Sequence, residues 1–193
     1  MTVTRDAVVD AALARAEQTS WEAVRLRDVA AALGATLNDV RTHFREKEEI
    51  VDAWFDRADG AMLAYAARPD EVGRPTRERL ERAMFAWLDA LSAHRSVTRQ
   101  MILNKLEPGH LHYQIRGVLR VSRTVQWMRE AAGRDSVLPW RAIEETVLTG
   151  IYLMTFFHWM FDNSPGSTRT REFLRRRFDR AGRLARAVPG VSV

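Results

Sequence analysis

No cysteine occurs anywhere in the 193 residues. That absence excludes disulfides, thiolate metal sites and cysteine nucleophiles, and it favours an intracellular setting. Lysine is almost missing too: Lys47 and Lys105 are the only two, so nearly all of the 30 basic residues are arginine. There is no long hydrophobic run. The longest, Val147 to Phe161, falls short of the roughly 20 residues a membrane span needs. Residues 1–16 carry acids and no apolar secretory core, so a cytoplasmic protein is expected. Neither a phosphate-cradling glycine loop nor a nucleophile elbow is present, and His110 and His112 have no third ligand at zinc spacing. The expectation is a protein that is not an enzyme and holds neither metal nor cofactor.

What is there is a folded chain, 46% hydrophobic, long enough for a small head and a larger body. The charge is uneven. Residues 1–50 hold seven bases and nine acids, net −2, which leaves +7 for the remainder. The basic excess therefore lies away from the head, where it does not argue for phosphate binding by the head.

Periodicity predicts helices throughout. Val8, Ala11, Ala12 and Ala16 follow a helical repeat after Thr4, an N-cap residue type. Leu26, Val29, Ala30 and Leu33 make the stripe of a second short helix, which Gly34 stops. Thr36 opens a third helix with Asp39 three residues on, close to a capping box, and Val40 and Phe44 pack it inward. A fourth helix is predicted from Lys47 to Ala66. The segment 66–76, AARPDEVGRPT, is rich in breakers and separates two parts. Further helices are expected at about 76–94, 96–105, 109–131, 138–162 and 168–187. Two short helices joined by a glycine turn form a helix-turn-helix, whose second helix enters the DNA major groove.

Residues 24–50 carry a more specific pattern. Leu26-Arg27-Asp28-Val29-Ala30, then Leu33-Gly34, Val40, His43-Phe44, Lys47-Glu48 and Ile50 agree in spacing, without a gap, with the DNA-binding head of the TetR family. The head thus resembles that family of bacterial transcriptional regulators. The chain departs from the pattern at Arg41, where the family has tyrosine, at Arg25, where it has Thr or Ser, and at Ser20-Trp21, where a glycine closes the first helix. A second resemblance lies at Asp162-Asn163-Ser164-Pro165, Thr170 and Phe173-Leu174-Arg175-Arg176-Arg177. It is similar to the end of the ubiquinone-biosynthesis accessory proteins, which share the TetR fold and bind lipid instead of DNA.

The resemblance implies an all-α, TetR-like fold: a three-helix DNA-binding head at 1–48 and a larger helical ligand-binding and dimerisation domain at 49–193. It implies a ligand-responsive regulator, expected to be a repressor, that binds a palindromic operator as a homodimer. On that reading Leu37, Asn38 and Thr42 meet base edges, while Arg25, Arg27, Arg41, His43 and Lys47 hold phosphates. Asn pairs with adenine, and Leu or Thr touches a thymine methyl. Asp39 is expected to cap its own helix. The same residues also suit the polar faces of ordinary surface helices.

The run from Val147 to Phe161 is apolar on all sides, so it is expected to be buried all round, one face lining a ligand cavity and another forming a dimer contact with the last helix. The helices near 138–162 and 168–187 would make that dimer. A small hydrophobic effector or a lipid is the expected ligand. Trp87, Met101, Tyr113, Trp127, Tyr152, Thr155, Phe156 and His158 are the candidate lining, with Asn104 and Gln114 as further polar groups. The alternative is a lipid- or hydrophobic-ligand-binding accessory protein of the same fold that does not bind DNA, with the arginine face of the last helix free to meet anionic lipid.

Overall fold

The structure, a computed structural model, describes the backbone of residues 3–105, 111–134 and 140–187, and side chains over 3–104, 119–134 and 140–185. Among these residues there is no strand. The helices in chain order are α1 (Arg5–Gln18), α2 (Leu26–Ala32), α3 (Leu37–His43), α4 (Lys47–Ala66), α5 (Thr76–Ala90), α6 (Arg95–Lys105), α7 (Leu111–Ala131), α8 (Trp140–Met160) and α9 (Thr168–Ala187). The predicted limits of α4 and α9 agree with the observed ones to the residue. The described residues fall into two compact units, one within Met1–Ala58 and Leu91–Gln114, the other within Asp59–Ala90 and Ile115–Val193. The division falls inside α4.

Local chemistry sets the first unit's helix ends. The Thr4 hydroxyl accepts from the Ala7 amide at 3.1 Å and starts α1. At the end of α2, Gly34 takes φ +60, and the Ala35 amide reaches back to the Ala30 carbonyl at 2.9 Å. This left-handed close suits glycine, which has no Cβ to clash. The Thr36–Asp39 pair closes a full capping box: the Asp39 amide donates to the Thr36 hydroxyl at 3.2 Å, and the Thr36 amide donates to the Asp39 carboxylate at 2.8 Å. Hydrogen bonds from Thr36 hold the Asp39 carboxyl below its ordinary value. Thr36→Ala removes one half of the box, and denaturant unfolding should show a loss of about 1 kcal/mol.

Val8, Val9, Ala12, Leu13, Val29, Ala30, Val40, Phe44, Ile50 and Trp54 fill the first core. Helix α6 belongs to this unit. Its Gln100 accepts the Trp21 amide at 2.6 Å, and its Thr98 hydroxyl accepts from the Trp54 indole at 2.9 Å. Just before α6, His94 meets Glu17 at 2.6 Å.

In the second unit α5, α8 and α9 pack together around Leu80, Met84, Trp87, Leu88, Leu148, Ile151, Phe156, Trp159, Leu174 and Phe178. The turn before α9 explains the Asp-x-Ser-Pro motif. Buried Asp162 accepts from the amide and hydroxyl of Ser164 (2.8 and 2.6 Å) and of Thr170 (2.9 and 2.6 Å). Burial alone would raise its pKa, but these four donors outweigh it and hold the carboxyl well below the ordinary range.

Helix α8 is not buried all round within one chain. Leu148, Ile151, Tyr152, Thr155, Phe156 and Trp159 face the core, whereas Trp140, Ile143, Val147, Met154, Phe157 and Phe161 are exposed. An all-round apolar sequence gives no periodic signal to separate the two sides. No helix among the described residues is long and apolar enough to cross a membrane.

Candidate nucleic-acid interface

Helix α3 turns Val40 into the core and leaves Leu37, Asn38, Arg41 and Thr42 exposed. Leu37 keeps 55% of its surface in solvent. The Asn38 and Arg41 side chains make no hydrogen bond or ion pair with another described residue, so their side-chain donors are available to a partner. The Thr42 hydroxyl donates to the Asp39 carbonyl at 2.6 Å. Asp39 is committed to its cap, as its sequence position implied. A carboxylate held that way is not reaching toward a base or a phosphate.

The cations differ more. Arg27 is exposed, 3.7 Å from Asp28. Arg25 is exposed at the N-cap position of α2, and its guanidinium donates to the Glu22 carbonyl at 2.6 Å. The half-buried His43 ring meets the Val3 carbonyl through Nε2 at 2.9 Å. A carbonyl only accepts, so Nε2 carries the proton. The Lys47 ammonium points at the turn between α1 and α2, donating to the Trp21 and Glu22 carbonyls and lying 4.8 Å over the Trp21 ring. Burial, with Arg25 nearby, pulls its pKa down. His43 and Lys47 thus hold the head together, and any phosphate contact would compete with those bonds.

Two arginines outside the motif positions, Arg5 and Arg45, stand beside α3. Arg5, at the start of α1, lies 5.0 Å over the Phe44 ring. Together with Arg45, Arg41 and His43 it borders a depression of about 310 Å³, whose lining also includes Thr42 and two acids, Glu49 and Asp52. Only tertiary contact brings Arg5 to this place, so no local pattern points to it. The acid excess of the head is also partly neutralised. Arg57 binds Asp10 at 2.5 Å and Asp6 at 2.8 Å, drawing two of the nine acids into ion pairs on α1.

Of the candidate ligand residues, Trp87, Tyr152, Thr155 and Phe156 are brought together in the second unit. Trp87 meets Tyr152 and Phe156 edge-on, with centroids at 5.3 and 5.4 Å. Trp87 also donates to buried Asp59 at 2.7 Å. Asp59 in turn accepts from Arg120 at 2.9 Å and from the Thr124 hydroxyl at 3.0 Å. Burial first, and the Asp59 charge second, push the Tyr152 phenol above its ordinary range. The Thr155 hydroxyl is buried without a hydrogen-bond partner among the described residues. His158 lies apart, bonded to Thr170 at 3.1 Å and stacked 4.6 Å from Phe173. Trp127 is exposed on α7, and Met101 is fully buried in the first unit. The side chains of His110, His112, Tyr113 and Gln114 lie outside the described residues. Among the described residues no group of three or more histidines and acids could hold a metal ion.

The chain is similar to a solved TetR transcriptional regulator from Nitrosomonas europaea ATCC 19718, at 52% identity and a TM-score of 0.83, over 92% of this chain and 97% of that one. A TetR transcriptional regulator from Rhodococcus sp. RHA1 shares the fold at 15% identity and a TM-score of 0.64, over 90% and 94% of the two chains. PfmR from Thermus thermophilus, of the TetR family, does so at 18% and 0.53, over 89% and 97%. The COQ9 family matches residues 145–185. No curated protein sequence matches the chain.

Proposed function

The chain belongs to the TetR family of transcriptional regulators, and from that premise we propose a ligand-responsive repressor that binds a palindromic operator as a homodimer. Residues 1–48 carry the DNA contacts, and residues 49–193 carry the ligand and the dimer contact. The observation that supports the DNA reading most directly is the open outer face of α3, where Asn38 and Arg41 have uncommitted donors beside exposed Leu37 and Thr42. Two such helices, held roughly 34 Å apart by a two-fold axis, reach successive major-groove turns on one side of a duplex. Phosphates are held by Arg25, Arg27 and Arg41, with His43 and Lys47 positioned behind them. Arg5 and Arg45 extend this basic edge.

The ligand is a small hydrophobic effector, and the side chains around Trp87, Tyr152, Thr155 and Phe156 are its contact. An effector that binds one of two conformations more tightly shifts the population toward it. Helix α4 is the lever, because one continuous helix runs from Lys47 past the division between the units to Ala66.

The test is fluorescence anisotropy on DNA flanking the gene, with salt as a variable. Arg41→Ala should weaken binding to all sequences about equally and lower the salt slope by about 1, whereas Asn38→Ala should relax preference at particular bases by roughly 1–3 kcal/mol. If both variants bind like the parent, this contact map is wrong. The COQ9 match at 145–185 favours one other reading, a lipid carrier that binds no DNA. Lipid that co-purifies, with no salt-sensitive binding to any fragment, would select it.

A further inference from the structure

Leu37 is an apolar side chain standing in solvent among polar neighbours on the outer face of α3. The core does not explain it, because α3 contributes only Val40 to the buried set. The polar groups around it are largely engaged. Asp39 closes the capping box with Thr36, and the Thr42 hydroxyl hydrogen goes to the Asp39 carbonyl. What α3 leaves to a partner is one amide at Asn38, one guanidinium at Arg41 and one large apolar group at Leu37. In the major groove, guanine, adenine and cytosine present hydrogen-bond donors and acceptors, and thymine alone adds a methyl group. A leucine against the polar edges would desolvate them without replacing their hydrogen bonds.

We infer that Leu37 is a specificity-determining contact to a thymine 5-methyl group, so that each operator half-site carries a required thymine facing it. This rests on the DNA-binding reading above. It assigns the methyl contact to Leu37 and not to Thr42, which also carries a methyl but stands five residues, about one and a half turns, further along the helix.

Deoxyuridine, which differs from thymidine only by that methyl, supplies the test. Duplexes are selected from a randomised pool with the full chain. The best one is resynthesised with deoxyuridine replacing thymidine at one symmetric pair of positions at a time. At a single pair the affinity should fall roughly fourfold for each methyl removed, about fifteenfold for both half-sites. Leu37→Ala, an exposed change checked by circular dichroism, should abolish the sensitivity at that pair, and Thr42→Ser should keep it. Tolerance of deoxyuridine at every position overturns the inference. So does sensitivity that survives Leu37→Ala or disappears in Thr42→Ser. Failure of the parent chain to select any duplex is a different result, and it removes the DNA-binding reading together with this one.

Discussion

Phe157→Glu is expected to leave the fold standing and turn a dimer into a monomer at micromolar concentration, as read by sedimentation. The residue sits on the exposed side of α8, where Trp140, Ile143, Val147, Met154, Phe157 and, just past the helix end, Phe161 keep 39–56% of their surface in solvent. Their steps of three, four, seven, three and four residues are a heptad pattern, and Gly150 fills the vacant slot. Such a repeat keeps all seven positions on one helical seam, the arrangement by which a helix meets another helix. If each large side chain exposes about 90 Å², the six offer about 540 Å², against the roughly 800 Å² per partner of a standard interface. Helix α9, which packs on α8 and leaves Leu184 70% exposed, is the expected source of the rest. A glutamate in the seam would have to be buried unpaired. The loss of two-headed binding should then cost the operator complex roughly 10²- to 10⁴-fold in affinity.

The midpoint of the seam lies at Gly150, where an added Cβ would meet only the Met154 methyl of its own helix, at 4.0 Å. In an antiparallel, two-fold pairing this is where the helices cross. The chain has no native thiol to interfere. Gly150→Cys should therefore cross-link the dimer on oxidation. Trp140→Cys should not, because its copies would lie about 30 Å apart. A parent protein that sediments as a monomer, or a Phe157→Glu protein that stays dimeric, removes the seam from the interface.

What the sequence made legible was local. Thr4, Gly34 and the Thr36–Asp39 box act within four or five residues, so the limits of the head's helices follow from the order of the residues alone. The family pattern in residues 24–50 is legible for the same reason: it records one continuous packing unit. Three things were not local. Helix α6 joins the first unit through Gln100 and Thr98, although it follows α5 of the second unit in the chain. Arg5 reaches the end of α3 only through a tertiary contact, its guanidinium lying over the Phe44 ring. Lys47 and His43 match the family pattern, yet their donors turn inward to carbonyls that no spacing rule points to. In α8 the heptad was present in the letters, but a core face of equal hydrophobicity masked it. The two sides differ in what covers them, and that is a tertiary property.

Asp59→Asn should be the most destabilising single polar substitution in the second unit. The Asp59 side chain is 10% exposed, and its carboxylate holds the Trp87 indole, the Thr124 hydroxyl and the Arg120 guanidinium together, tying the second half of α4 to α5 and α7. The Arg120 side chain is only 11% exposed, so water cannot take over its charge. Removing one partner of a buried pair leaves the other charge uncompensated, at a cost of about 3–5 kcal/mol. For a chain of this size that corresponds to a fall of roughly 6–20 °C in melting temperature. Asn keeps the shape, and its one carbonyl oxygen can still accept from both the Trp87 indole and the Thr124 hydroxyl, which meet the same oxygen of Asp59, so the effect isolates charge from volume. Denaturant titration should show a lower midpoint with an unchanged slope. The double variant Asp59→Asn, Arg120→Met removes both charges and should recover most of the loss, because the penalty comes from the stranded guanidinium and not from the absent attraction. If Asp59→Asn melts with the parent, the pair is solvated in solution and α4 is not anchored there. If the double variant is no better than the single one, the hydrogen bonds from Trp87 and Thr124 carry the cost, and the arginine is a bystander.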